Sequence, residues 1–168
     1  MTMNPVFIRR SIRKFTPGPI SGDQVDLLLK AGLCAPSARN KQPWHLIAVT
    51  ERNQLDRIPR YHPYGSMLLE ASLAILVCGD TSIEEDIGYI ALNCSAATEN
   101  ILVTSAYLGL GSVWLGVYPI KDRMQGMKDL FKLPDPIIPV SLIAIGYPAE
   151  HKSPKNDYDW NKVRYNQW

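Results

Sequence analysis

The order of patterned segments in this chain is helix, strand, helix, strand, helix, strand, helix, strand, then a polar tail. That order places it in the α/β or α+β class. Three observations carry the assignment. Helix-period apolar runs alternate with short β-rich runs, and Leu73–Gly79 and Pro139–Gly146 are continuous enough to be strands buried on both faces. The chain has 168 residues, the length of one compact domain that buries roughly 70% of its unfolded surface. Hydrophobic residues make up 46% and charged residues 20%, which excludes a disordered or low-complexity chain. No repeat or linker divides it.

Ser21-Gly22-Asp23-Gln24 has the form of a capping box and opens a helix through Val25, Leu28, Leu29 and Leu33. It should end near Pro36, because a residue before proline is pushed out of the α region. His45–Thr50 reads as a strand, Glu51–Ile58 as a surface helical turn, and Leu73–Gly79 as a buried strand. From about Glu84 to Leu108, Ile87, Ala91, Cys94, Thr98, Ile101, Ser105 and Leu108 recur every three or four residues. Such a helix would run roughly 40 Å. Its length and the small residues Ser95, Ala96 and Ala97 point to a subunit interface, with a central core helix as the plainer alternative. Gly109-Leu110-Gly111 ends it. Ser112–Tyr118 is then a strand, Lys121–Phe131 an amphipathic helix and Pro139–Gly146 a strand. The remainder, His151–Trp168, is polar and basic but carries Tyr158, Trp160, Tyr165 and Trp168. A lone chain leaves such a tail frayed, and a neighbouring subunit is the simplest surface for it.

The formal charge of +2, from 18 basic and 16 acidic residues, is too balanced to imply a nucleic-acid or membrane partner. Met1–Arg10 has no apolar leader core, and no apolar stretch reaches the ~20 residues of a spanning helix. A soluble, cytoplasmic protein is expected. Cys34, Cys78 and Cys94 are scattered without C-x-x-C and read as buried core residues in a reducing compartment. His45, His62 and His151 have no metal-ligand spacing, so no metal is expected. No P-loop, G-x-S-x-G or H-E-x-x-H occurs, and no carboxylate pair looks buried. If the protein is an enzyme, a cofactor carries the difficult chemistry.

Three segments have the residue types to hold one. In Arg9-Arg10-Ser11-Ile12-Arg13-Lys14-Phe15, guanidiniums and a hydroxyl can grip a phosphate while Ile12 and Phe15 pin the segment to apolar surface. A solvated basic patch is the competing reading. Ala35-Pro36-Ser37-Ala38-Arg39-Asn40-Lys41-Gln42-Pro43-Trp44 is a proline-bracketed loop whose Ser37, Asn40 and Gln42 can read the edge of a heterocycle. Gly109-Leu110-Gly111-Ser112-Val113-Trp114-Leu115-Gly116 brackets a strand with glycines that let backbone approach a planar ligand. It is not a dinucleotide fingerprint, because it precedes a strand and lacks the third glycine.

Together with N-C-S-A-A-T-E-N-I-L, Ile145–Glu150 and Lys162–Asn166, these segments resemble the nitroreductase family over nearly the whole chain. The resemblance implies an α+β, three-layer fold, with a mixed, mainly antiparallel sheet flanked by helices in an interlocked homodimer. Residues 1–168 would form one flavin-binding domain, its tail from about 151 packing on the partner. It implies FMN at two interfacial sites, with NADH or NADPH as co-substrate. Hydride would pass through flavin N5 to a nitroaromatic or quinone. By motif, Arg9, Arg10, Ser11 and Arg13 would hold the phosphate and ribityl chain, with Arg164 adding a contact from the tail. Pro36, Ser37, Ala38, Asn40 and Gln42 would reach the flavin from the partner subunit. The backbone of Ser112, Val113, Trp114, Leu115 and Gly116 would face the isoalloxazine. No protein acid or base is required. Leu46 and Asn93 depart from the aromatic and acidic residues frequent in the family. The short Ile58–Leu73 interval implies an open acceptor site with His62 or Tyr64 at its rim. A non-catalytic flavin- or nucleotide-binding sensor or storage protein is the alternative, and a basic RNA-binding module a weaker third.

Overall fold

The computed structural model describes residues 4–168. Residues 1–3, the first of the Met1–Arg10 segment, lie outside the described residues. Five helices and five strands follow in the order α1 (Pro5–Ile8), β1 (Phe15–Thr16), α2 (Gly22–Leu33), β2 (Trp44–Val49), α3 (Arg52–Leu55), β3 (Leu73–Asp80), α4 (Ile87–Tyr107), β4 (Gly111–Gly116), α5 (Lys121–Phe131) and β5 (Ile137–Pro148).

Every ladder is antiparallel: β5 lies between β3 on one side and β4 with the short β1 on the other, and β2 pairs the far side of β3. Among the described residues, the one parallel element is an isolated bridge between Ser11 and Ser112. The strand period of two then sorts the core into two layers. Leu73, Ile75, Val77, Ile143 and Ile145 pack against α4 and Leu28 of α2. Ala74, Leu76, Leu142 and Ala144 pack on the opposite face against Met127 and Leu130 of α5, with Ile58 and Leu68. The result is the three-layer α+β arrangement expected from the sequence.

Local chemistry explains the boundaries. The capping box at α2 forms, with Ser21 and Gln24 each bonding the other's backbone. The long helix begins at Ile87, not near Glu84, because the Asp86 carboxylate accepts from the amides of Gly88 and Tyr89 at 2.7 and 3.2 Å. Its core face buries Ile90, Cys94, Ala97 and Ile101, while Leu92 and Tyr107 stand exposed on its other flank. The helix is therefore central to the core and still carries unpartnered apolar surface. β5 outruns its predicted length because its ends pair with Asp80 and with Phe15. Cys78 and Cys94 are buried as expected, and burial pushes both thiols up to about 12. Cys34 is exposed instead, since it caps the surface end of α2. No helix among the described residues is long and apolar enough to cross a membrane.

Candidate active site

Past α1 the chain passes from Arg9 through an isolated bridge at Ser11 to the start of β1 at Phe15. Ile12 and Phe15 are buried against the core, while Ser11 is half-buried and Arg13 exposed. Two glycines make room for the anchors: a Cβ on Gly111 would sit 2.7 Å from Ile12, and one on Gly146 would sit 2.8 Å from Phe15. Backbone bonds fix the register, with the Ile12 amide donating to Ser112 O at 3.0 Å and the Ala149 amide to Lys14 O at 2.9 Å.

Polar side chains of this segment line a cleft of about 440 Å³ formed by Arg9, Arg10, Ser11 and Arg13 with Lys152 and Lys155. The two lysines were not singled out from the sequence, where they are two of several cations in a frayed tail. Lys152 enters because its Nζ donates to Ser11 O at 2.6 Å, and Arg10 donates to Ser153 O. Two carboxylates answer the five cations. Glu99 lies 3.3 Å from Arg9 Nε. Glu150 accepts the Arg13 amide at 2.6 Å and meets Lys152 at 3.3 Å. That amide, with Lys152 beside it, holds the Glu150 carboxyl below its ordinary range. The net charge of the cleft is positive, and its donors suit a phosphate.

The Ser11–Ser112 bridge joins this cleft to β4, an edge strand. Val113 and Leu115 are buried in the core, Ser112 is buried too, and Trp114 and Gly116 are exposed. Ser112 O accepts from Ile12 and Gly116 O from side chains away from β5. By strand alternation the Trp114 amide and carbonyl and the Gly116 amide point the same way, along the free edge. The glycines here divide by purpose. Gly109 has φ +73 and Gly111 clears Ile12, so both serve the fold rather than a ligand. A Cβ on Gly116 would meet nothing within 4 Å. Nothing among the described residues requires a glycine there, which leaves close approach from outside as its use.

The loop from Pro36 to Gln42 stands apart. Arg39, Asn40 and Gln42 all have positive φ, at 55, 53 and 49 degrees. Side chains hold them there: the Gln42 amide donates to Ser37 Oγ at 2.9 Å and its Nε2 to Asn40 Oδ1 at 2.9 Å. The Ala38 amide donates to Asn93 Oδ1 at 3.0 Å. Arg39 and Lys41 clamp the buried Glu84 carboxylate at 3.1 and 3.0 Å. Lys41's hydrogen bond, then the Asp86 amide, keeps that carboxyl below its usual range. Sequence reading missed Glu84, because its burial depends on two cations folding over it. Three left-handed non-glycine residues in one loop mark backbone held against its preference.

This loop and the cationic cleft do not meet within one chain. The loop is tied to α4 at Asn93 and the cleft at Glu99, roughly 9 Å along the helix and about 240° around it. Nor does Arg164 join the cleft. Its guanidinium donates to the carbonyls of Asn161 and Val163 and lies over Trp168 at 5.4 Å, on a fully exposed tail. Of the two residues expected at the rim, His62 or Tyr64, His62 is buried and Tyr64 is exposed.

Comparison with known proteins gives a consistent picture. The model described as Nitroreductase family matches residues 7–64 and 59–147. A Methanothermobacter thermautotrophicus protein named as an NADH dehydrogenase/NAD(P)H nitroreductase is 43% identical over 160 residues, covering 95% of this chain and 84% of that protein. A Parabacteroides distasonis crystal structure bearing the same name superposes with a TM-score of 0.94 at 39% identity, covering 99% of this chain and 98% of that one. The structure of an FMN-dependent nitroreductase from Clostridium difficile gives a TM-score of 0.91 at 28% identity, covering 99% of this chain and 100% of that one.

Proposed function

We infer function from one premise: the chain belongs to the nitroreductase family. It is an FMN-dependent NAD(P)H oxidoreductase. We propose a cytoplasmic homodimer whose electron acceptor is a small nitroaromatic or quinone.

The observation that carries this reading is the joining of a five-cation cleft to a free strand edge through Ser11 and Ser112. FMN is such a two-ended ligand, with a phosphate at one end and a flat, polar-edged ring at the other. Arg9, Arg10, Ser11 and Arg13 would hold the phosphate and ribityl chain, with Lys152 and Lys155 adding charge. The exposed Trp114–Gly116 backbone would donate to the ring edge, where N–H groups favour the added electron density. Held there by these residues, FMN would supply the two-electron redox chemistry that links the nicotinamide to the second substrate.

The reading assigns the loop to the other subunit's site. Pro36, Ser37, Ala38, Asn40 and Gln42 cannot reach their own chain's cleft, so a second copy would bring them there. Leu92 and Tyr107 on α4, and Val6 and Phe7 of α1, supply exposed apolar surface for that contact. The tail from about residue 151, including Trp160 and Arg164, would pack on the partner and carry Arg164 to a phosphate. Residues 1–168 then act as one flavin-binding domain.

The test is direct. The purified protein should be yellow, and NADH or NADPH should bleach it anaerobically before menadione or a nitrofuran restores the colour. A chain that takes up no FMN would refute the reading. A flavin bleached by dithionite but never by either nicotinamide would instead favour a non-catalytic flavin-binding protein.

A further inference from the structure

The segment between α3 and β3 has no role in the site so far described, yet it reaches it. Two 3-10 turns, Ile58–Arg60 and Ser66–Leu69, flank His62, which is 2% exposed. Its Nε2 lies 3.0 Å from Gly116 O. A carbonyl can only accept, so Nε2 carries the hydrogen. Burial lowers the pKa of the imidazole, against the raising effect of the Gly116 bond, and the charge of Arg123 lowers it further, which favours the neutral ring. Nδ1 is then a buried lone pair, and it meets no hydrogen-bond partner among the described residues. A buried acceptor left unpaired is costly, and a leucine would fill the space without it. The imidazole's use at this position is its one hydrogen bond, to Gly116.

That carbonyl has a second donor. Arg123 Nη1 reaches it at 2.8 Å from the first turn of α5. The guanidinium is steadied over the Tyr64 ring at 5.5 Å, and Tyr64 meets His62 edge-on at 6.4 Å. Both lone pairs of the Gly116 carbonyl are therefore occupied. This matters because Gly116 ends the free edge of β4. An electron-rich ligand atom that accepts from the Gly116 amide must lie beside the Gly116 carbonyl oxygen. Uncapped, that oxygen repels it. Capped by an N–H and a cation, the same corner becomes electropositive.

We propose that His62 and Arg123 are positioning residues that clamp the Gly116 carbonyl, so that the end of β4 binds flavin firmly and raises its reduction potential. This rests on the flavin reading above. Neither side chain acts on substrate; both act through the Gly116 peptide. The clamp favours the reduced, more electron-rich flavin over the oxidised one.

The experiment compares wild type with His62→Leu, His62→Gln and Arg123→Gln. FMN affinity is read by fluorescence quenching, and midpoint potential by dye-equilibrated reduction of the bound flavin. His62→Leu and Arg123→Gln should each weaken FMN by roughly threefold to tenfold, the range of one lost hydrogen bond. Each should also shift the potential to a more negative value. His62→Gln, whose amide can donate to the same carbonyl, should restore most of both. Should His62→Leu fail to fold, Arg123→Gln decides, since Arg123 is only partly buried on α5. Wild-type potential and affinity in a folded Arg123→Gln protein would overturn the clamp while leaving the flavin reading intact. A wild-type chain that binds no FMN would instead overturn the flavin reading on which the clamp rests.

Discussion

The cleft at Arg9–Arg13 and the loop at Pro36–Gln42 are both polar surface tied to α4, but they are readied for a ligand in opposite ways. The cleft is prepared by charge. Its backbone holds no left-handed residue and is anchored by Ile12 and Phe15, and its cations outnumber their carboxylate partners. The loop is prepared by conformation. Its charges are satisfied internally on Glu84, and its backbone is held left-handed at three non-glycine positions. A cleft of surplus charge gains most of its order when an anion arrives. A strained loop has its order already built in, at a cost in stability.

Four variants can break or sharpen that contrast. The largest effect is expected for Arg13→Ala, which removes a charge-assisted grip worth about 1.5–3 kcal/mol, or about 10- to 150-fold in FMN affinity. The apo protein should melt unchanged, since only the bound form loses a partner. A variant that purifies fully yellow would remove Arg13 from the phosphate site. Next is truncation before Asn156, which should weaken dimer and FMN binding together. An unchanged sedimentation profile would show that the tail and Arg164 do not cross between subunits.

Loop variants should behave in the reverse sense, changing the apo protein first. Glu84→Gln should lower the apo melting temperature and loosen the loop. Because the folded-state pKa of Glu84 lies below its unfolded value, its stabilisation is complete above the ordinary carboxylate range. It is lost as pH falls through the depressed folded value. The variant should therefore show a flatter acid limb in melting temperature against pH, and an identical limb would show that Glu84 does not organise the loop. The smallest effect is expected for Gln42→Asn. Asparagine tolerates the left-handed region better, so apo stability should rise by about 0.5 kcal/mol, less whatever the exposed Gln42–Asn40 bond contributes. A fall in stability would mean that the side-chain bond outweighs the backbone strain.

Residue type and spacing alone determined the elements and the motifs. The capping box at Ser21, the buried run of β3 and the limits of α5 are local properties, set by hydrogen bonding and apolar period within a few residues. The cationic segment was legible for the same reason, since four of its cations and a hydroxyl lie within six consecutive positions. What only the tertiary structure decided is long-range. Lys152 and Lys155 enter the cleft because the chain after β5 returns across Ser11, some 140 residues away. Glu84 is buried because two loop cations close over it. His62 reads as one more histidine in the sequence, and only folding sets its Nε2 on the Gly116 carbonyl beside Arg123. Spacing reveals contacts made along one helix or strand. Contacts between distant segments depend on sheet order and layer packing, which bring together residues that share no local pattern.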